Sequence, residues 1–160
     1  MPVYHFTYHA YGTWLPDKPR GYTRHKTGIH PPDPRMAQRY RDNMAEPPAS
    51  FPRTVQRALI DELITACDRQ SYQPHAAATD KTHLHVIVAW KTTRAWRRVR
   101  AGLQHSLSRR LNQGFGKRTW FVAHPSRKRV KDKGHYDYLI QRYLPDHRGW
   151  KWDYQRGLYL

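Results

Sequence analysis

The stretch Thr79-Asp80-Lys81-Thr82-His83-Leu84-His85-Val86-Ile87-Val88-Ala89-Trp90 decides the reading of this chain. Successive side chains on a β-strand point to opposite faces, so residues two apart share one. His83 and His85 would therefore project side by side, while Leu84, Val86, Val88 and Trp90 point the other way into a core. Two imidazoles so arranged can converge on one divalent metal. In a chain this basic, a metal held on a sheet points to chemistry on a phosphate. Upstream, Tyr72 to Thr79 reads as a weaker strand, and Asp80-Lys81 as the turn that joins the two into a hairpin.

Working outward, Val3 to Tyr11 is rich in β-formers and reads as a first strand. Gly12 to Ser50 holds seven of the twelve prolines and reads as a long irregular insert with at most a short helix around Met36 to Met44. Such a connection is either a flap over a substrate or a disordered insertion. Pro52 opens a helix whose stripe is Val55, Leu59, Leu63 and Ala66, widened by Ile60, Ile64 and Cys67. A second helix is expected over Arg94 to Asn112, capped by Thr92 or Thr93, with Trp96, Val99, Leu103, Leu107 and Leu111 as its apolar stripe. Thr119 to Ala123 reads as a short strand, Arg127 to Lys133 as a basic loop, and Gly134 to Leu144 as a last helix stopped by Pro145. The tail, Trp150 to Leu160, reads as irregular.

The order is strand, helix, strand, strand, helix, strand, then an extra helix. That is an α+β chain with the split βαβ, ferredoxin-like order over a single domain, residues 1–160. It predicts a four-stranded antiparallel sheet with two helices on one face. The histidines would lie on the other, open face, near an additional C-terminal helix.

Composition narrows the partners. Twenty-nine Lys and Arg stand against twelve Asp and Glu, a net charge of +17. That imbalance is self-repelling unless a polyanion is the usual partner, and nucleic acid is the natural one. Six Trp and eleven Tyr supply ring faces for stacking on bases as well as for the core. Arg94, Arg97, Arg98, Arg100, Arg109 and Arg110 on the second helix, with Arg127, Lys128, Arg129, Lys131 and Lys133 in the basic loop, are the candidate backbone contacts. A single Cys67 excludes an intrachain disulfide framework. No secretory signal or membrane-length apolar run is legible, so a cytoplasmic location without membrane partners is expected.

The TDKTHLHVIV strand, the tyrosine-bearing last helix and the opening YGTWLPDKPRG together resemble the single-tyrosine HUH transposases, which include insertion-sequence and REP-associated members. The resemblance implies metal-dependent cleavage and strand transfer on single-stranded, hairpin-forming DNA through a 5′-phosphotyrosine. His83 and His85 match the family's metal ligands, for Mg2+ or Mn2+. A tyrosine of the last helix is the implied nucleophile. Tyr138, which opens Tyr138-Leu139-Ile140-Gln141, fits the family pattern, with Gln141 as third ligand although it stands three rather than four residues on. Tyr143, with His147 four residues later, is the alternative pair, and Tyr136 a further one. The family includes both monomers and homodimers. The contrasting reading is a non-catalytic basic nucleic-acid-binding protein derived from such an enzyme.

Overall fold

In the computed structural model, which describes residues 1–160, the strand that begins the chain is also the one nearest the middle of its chemistry. The elements run β1 (Val3–His9), β2 (Tyr22–Arg24), β3 (Gly28–His30), α1 (Pro34–Asp42), α2 (Arg53–Arg69), β4 (Tyr72–Thr79), β5 (His83–Trp90), α3 (Trp96–Phe115), β6 (Ser126–Arg129), α4 (Lys133–Tyr138), a π-helical turn (Leu139–Tyr143), β7 (Lys151–Asp153) and β8 (Gly157–Tyr159). A six-stranded sheet in the order β6-β1-β5-β4-β7-β8 is antiparallel at every pairing. β2 and β3 form a separate hairpin.

Alternation along β1 and β5 builds the main core. Phe6, Tyr8, Leu84, Val86 and Val88 are fully buried against Leu59 and Leu63 of α2 and Val99, Leu103, Leu107 and Leu111 of α3. Burying each such aliphatic side chain contributes roughly 1.5–3 kcal/mol. The helical stripes read from the sequence are therefore the ones that pack, and Cys67 is a buried core residue.

Several boundaries differ from the sequence expectation. Thr119 to Ala123 is not a strand: Phe121 makes one isolated bridge with Ala10, and its ring joins the core with that of Trp120. The edge of β1 is occupied instead by β6, which overlaps the stretch expected to be a basic loop; its four exposed residues, three of them charged, suit a sheet edge. α3 starts at Trp96 because the Trp90 indole donates to the Arg94 carbonyl at 2.8 Å, holding that residue outside the helix. Neither Thr92 nor Thr93 caps it; Ala95 stands at the cap without a side-chain bond. The insert contains the β2–β3 hairpin and α1, capped by Asp33. The tail is the β7–β8 hairpin, whose turn is tied by the Asp153 carboxylate accepting from the backbone N–H groups of Gln155 and Arg156.

The second face of the sheet is not open. Leu139 and Leu144, five residues apart and joined by a Leu144 N–H to Leu139 C=O bond of 2.9 Å, cover Ala76, Ala78 and Ile87. That five-residue step is the π-helical hydrogen bond. The chain then returns past Thr79, whose carbonyl accepts from the Gly149 N–H at 2.9 Å. A Cβ at residue 149 would sit 2.1 Å from that oxygen, so only glycine fits the approach. No helix is long and apolar enough to cross a membrane.

Candidate functional site

The polar side chains of the second face meet in a cavity of about 330 Å3. β1 supplies His5, Thr7 and His9; β5 supplies His83 and His85; β6 supplies Ser126 and Lys128. The register explains the convergence. His9 pairs with His83 and Thr7 with His85, while Lys128 pairs with His5 and Ser126 with Thr7. Directly opposed residues of an antiparallel pair share a face. Asp80 from the β4–β5 turn, Tyr143 from the π-helical turn and His147 beyond it close the cavity.

The rings are close. His83 and His85 stack 5.8 Å apart with planes 8° from parallel. His9 lies 4.5 Å from His83, and His147 4.5 Å from His85. The Tyr143 ring is 5.4 Å from His85 and 5.1 Å from His147.

His83, His85 and His147 each engage Nδ1. His83 Nδ1 lies 3.1 Å from the Asp80 carboxylate, and His147 Nδ1 2.9 Å from the Tyr143 carbonyl. The carbonyl can only accept, so His147 Nδ1 carries a proton; His83 Nδ1 also lies 2.6 Å from the Thr82 hydroxyl, which can donate or accept. His85 Nδ1 faces His5 Nε2 and the Thr7 hydroxyl, each at 3.1 Å. Imidazoles held at one nitrogen in this way are the usual form of metal-ligating histidine.

Burial favours the neutral forms of His5, His9 and His85. Burial, with the His147 charge second, pulls the His85 pKa down to about 2. Burial and then Lys128 lower His5 to about 4; burial and then His83 lower His9 to about 4. Burial alone would raise the Asp80 carboxyl, but hydrogen bonds from His83 and the Thr82 N–H hold it well below the ordinary range. Burial first, then Tyr138 and Asp80, raise the Tyr143 phenol. Neutral imidazole and carboxylate are the protonation states a divalent cation needs. By donor type, His83, His85 and His147 fit such a cation. As the side chains stand, no three His, Cys, Asp or Glu groups already converge on one ion position.

The other residues singled out in the sequence fall elsewhere. Tyr138 is 55% exposed, stands outside the cavity lining and reaches it only through its ring, 6.2 Å from that of Tyr143. Gln141 lines a different groove, with His75 and Tyr136, so it is not beside the His83–His85 pair. The reason is the π-helical turn, which breaks the α-helical spacing that would align residues 138 and 141. Tyr136 is committed to His75, whose Nδ1 is 2.8 Å from its hydroxyl.

The basic candidates divide between faces. α3 packs on the main-core side, so Arg97, Arg98, Arg100, Arg109 and Arg110 lie across the sheet from the histidines, and Arg94, just before the helix, bonds to Tyr72 of the same core. Several are already engaged: Arg94 with the Tyr72 hydroxyl, Arg100 with the Pro125 carbonyl, Arg97 over the Trp96 ring. On β6, Arg127 lies over Trp96 on the helix side, and Arg129 alternates with Lys128. Only Lys128 of these lines the cavity. Lys131 is exposed in the loop after β6, and Lys133 pairs with Asp137 at 2.5 Å.

The sequence reading missed His5, Thr7, His9 and Asp80. The signal was present: His5-x-Thr7-x-His9 repeats at the strand period, and Asp80 stands three residues before His83 across a tight turn.

No protein-family model matches the sequence, and no curated protein sequence matches it. Among solved structures the fold is similar to that of a REP-associated tyrosine transposase bound to a REP hairpin, with a TM-score of 0.52 and 8% identity. The match covers 89% of this chain and 64% of that one, so this chain spans less than two thirds of its length. At that identity the likeness is one of fold: a mixed α/β chain with a large antiparallel sheet.

Proposed function

We propose that this chain cleaves and rejoins single-stranded DNA through a 5′-phosphotyrosine, with Tyr143 as the nucleophile. The observation that carries the reading is the single cavity shared by the Tyr143 phenol and the His83, His85 and His147 rings. Tyr138, favoured by sequence pattern, yields to Tyr143 because its ring is more than half exposed outside that cavity. We also infer the ferredoxin-like, split βαβ architecture. β6-β1-β5-β4 is the order in which each βαβ crossover leaves room for one intervening strand.

In cleavage the phenolic oxygen attacks phosphorus. The Tyr143 O–P bond forms, the P–O3′ bond breaks, and its electron pair leaves with the 3′ oxygen. The phenol proton goes to solvent, and the 3′ oxygen takes one up. Rejoining is the reverse attack by a 3′ hydroxyl, so no ATP is consumed. A phenol whose pKa is raised by burial is a poor nucleophile at neutral pH, so placement must do much of the work. The Leu139–Tyr143 turn carries the ring, and Lys128, which lines the same cavity, supplies a cation for an incoming phosphate. His83 and His85, with His147 as third ligand, would hold a divalent cation, Mg2+ or Mn2+, which when bound polarises the scissile phosphate.

The test is a denaturing gel with labelled hairpin oligonucleotides carrying single-stranded flanks, in Mg2+ or Mn2+. The wild type is expected to form a covalent protein–DNA adduct, Tyr143→Phe to lose it and Tyr138→Phe to keep it. The reverse pattern in the two variants would reassign the nucleophile. An adduct from neither protein nor variant on any substrate would leave a non-catalytic binding protein.

A further inference from the structure

Beside the histidine cavity lies a larger cleft of about 800 Å3, within the range of ligand-binding clefts. It opens between the start of α2, the β4–β5 turn and the segment 146–149. Arg53, Lys81 and Arg148 line it, and all three are exposed. None of them takes part in an ion pair, whereas five other Lys and Arg side chains pair with carboxylates. The acidic residues on its wall are Asp80, committed to His83 and Thr82, and Asp146. Asp80 and His147 belong to both the cleft and the histidine cavity, so the two spaces adjoin.

We propose that this cleft holds the sugar-phosphate backbone of the single strand that flanks the scissile phosphate, with Arg53, Lys81 and Arg148 on successive phosphates. The inference rests on the DNA-cleaving reading of the adjoining cavity. Three unpaired cations in a recess imply a polyanion. Their position on three different chain segments suits an extended ligand rather than one free phosphate. The wall offers no exposed aromatic ring for stacking, so contacts here position the strand without reading its bases. The Arg-rich face of α3, across the sheet, cannot serve this role for a strand entering the histidine cavity.

The test compares a blunt DNA hairpin with the same hairpin carrying a single-stranded tail. Binding is followed by fluorescence anisotropy in EDTA, over a salt titration. Each phosphate contact on a single strand contributes about 0.7 to the salt slope. Arg53→Gln/Lys81→Gln/Arg148→Gln should therefore lower the slope for the tailed DNA by about 2, and its affinity about 100-fold at 0.1 M salt. Blunt-hairpin binding should stay near wild type. Wild-type slope and affinity in the triple variant would overturn the inference while leaving the adduct assay intact. Equal losses on both DNAs would overturn the single-strand assignment. A second measurement needs no variant: in the wild type, tailed DNA should shield the Lys81 amine from acylation, read by mass spectrometry. Labelling unchanged by saturating DNA would refute the proposal. If the wild type neither binds tailed DNA nor forms an adduct, the functional reading itself falls.

Discussion

Leu144→Ala separates the placement of Tyr143 from the stability of the fold. No residue of α4 is buried, and within the π-helical turn only Leu139 is. The segment is held by Leu139 and Leu144, 3% and 2% exposed, on a patch of Ala76, Ala78 and Ile87. That cluster is distinct from the main core of 25 residues, so its loss need not spread. Two buried leucines contribute roughly 3–6 kcal/mol to docking. Leu144→Ala removes about 3 kcal/mol of it, since the methyl groups of the neighbouring β4 alanines cannot reach to refill the space. That raises the undocked population about 100-fold. Amide exchange over residues 139–147 should accelerate by that factor, while amides of β1 and β5 exchange as in the wild type. The Leu139→Ala/Leu144→Ala double variant should leave the segment undocked and abolish the DNA adduct, with the far-ultraviolet spectrum retained. Acceleration spread evenly over β1 and β5 would refute the independence of the segment. A double variant that forms adduct at the wild-type rate would refute the idea that these leucines place the nucleophile.

Two further outcomes follow from the site and its neighbour. Asp80→Asn removes the carboxylate that orients His83, and should weaken Mn2+ binding about 10–100-fold by calorimetry; unchanged affinity would exclude His83 as a ligand oriented in this way. His75 has its pKa lowered by burial, with Nε2 unpartnered and Nδ1 on the Tyr136 hydroxyl, in a groove that also presents Asp137, Asp153 and Arg156. A depressed folded-state pKa means the undocked state binds the proton more readily. Docking of α4 is therefore complete above pH 6.5 and weakens as pH falls below it. His75→Gln should flatten the acid limb of segment exchange; a limb unchanged in that variant would assign it to other groups.

What was legible in the sequence was whatever repeats with a period. The strand period of Leu84, Val86 and Val88 and the helical stripes of α2 and α3 identify the main core without ambiguity. Elements built from non-local pairing were not legible. β6, Ser-Arg-Lys-Arg, has no apolar residue and exists because β1 offers an edge. Thr119 to Ala123 has strand composition, yet buries Trp120 and Phe121 without joining the ladder. The same distinction runs through the site. His83 and His85 are legible because one strand presents both. Their meeting with His5, Thr7 and His9 depends on register between β1 and β5, eighty residues apart in sequence. Sequence pattern alone leaves Tyr138 and Tyr143 as alternatives; the π-helical turn, which no apolar periodicity announces, puts Tyr143 rather than Tyr138 in the cavity lining.

That turn links packing to chemistry. A full amphipathic helix laid on the second face would bury the histidines in an apolar core, where their polar atoms would lack partners. An uncovered face would leave them solvated, with ordinary pKa values near 6.5. The short segment that carries Leu139 and Leu144 covers the apolar patch of Ala76, Ala78 and Ile87 and stops at the polar rows beside it. His5 and His85 are thereby buried enough to remain neutral, and each is hydrogen-bonded within the row. The cover that tunes the imidazoles also carries the Tyr143 phenol, so releasing it should withdraw that hydroxyl from the cavity and return water to the rings in one event. Loss of activity and recovery of ordinary histidine titration are therefore expected to appear together in the double leucine variant. Their separation would mean that the rings are held neutral by the sheet alone.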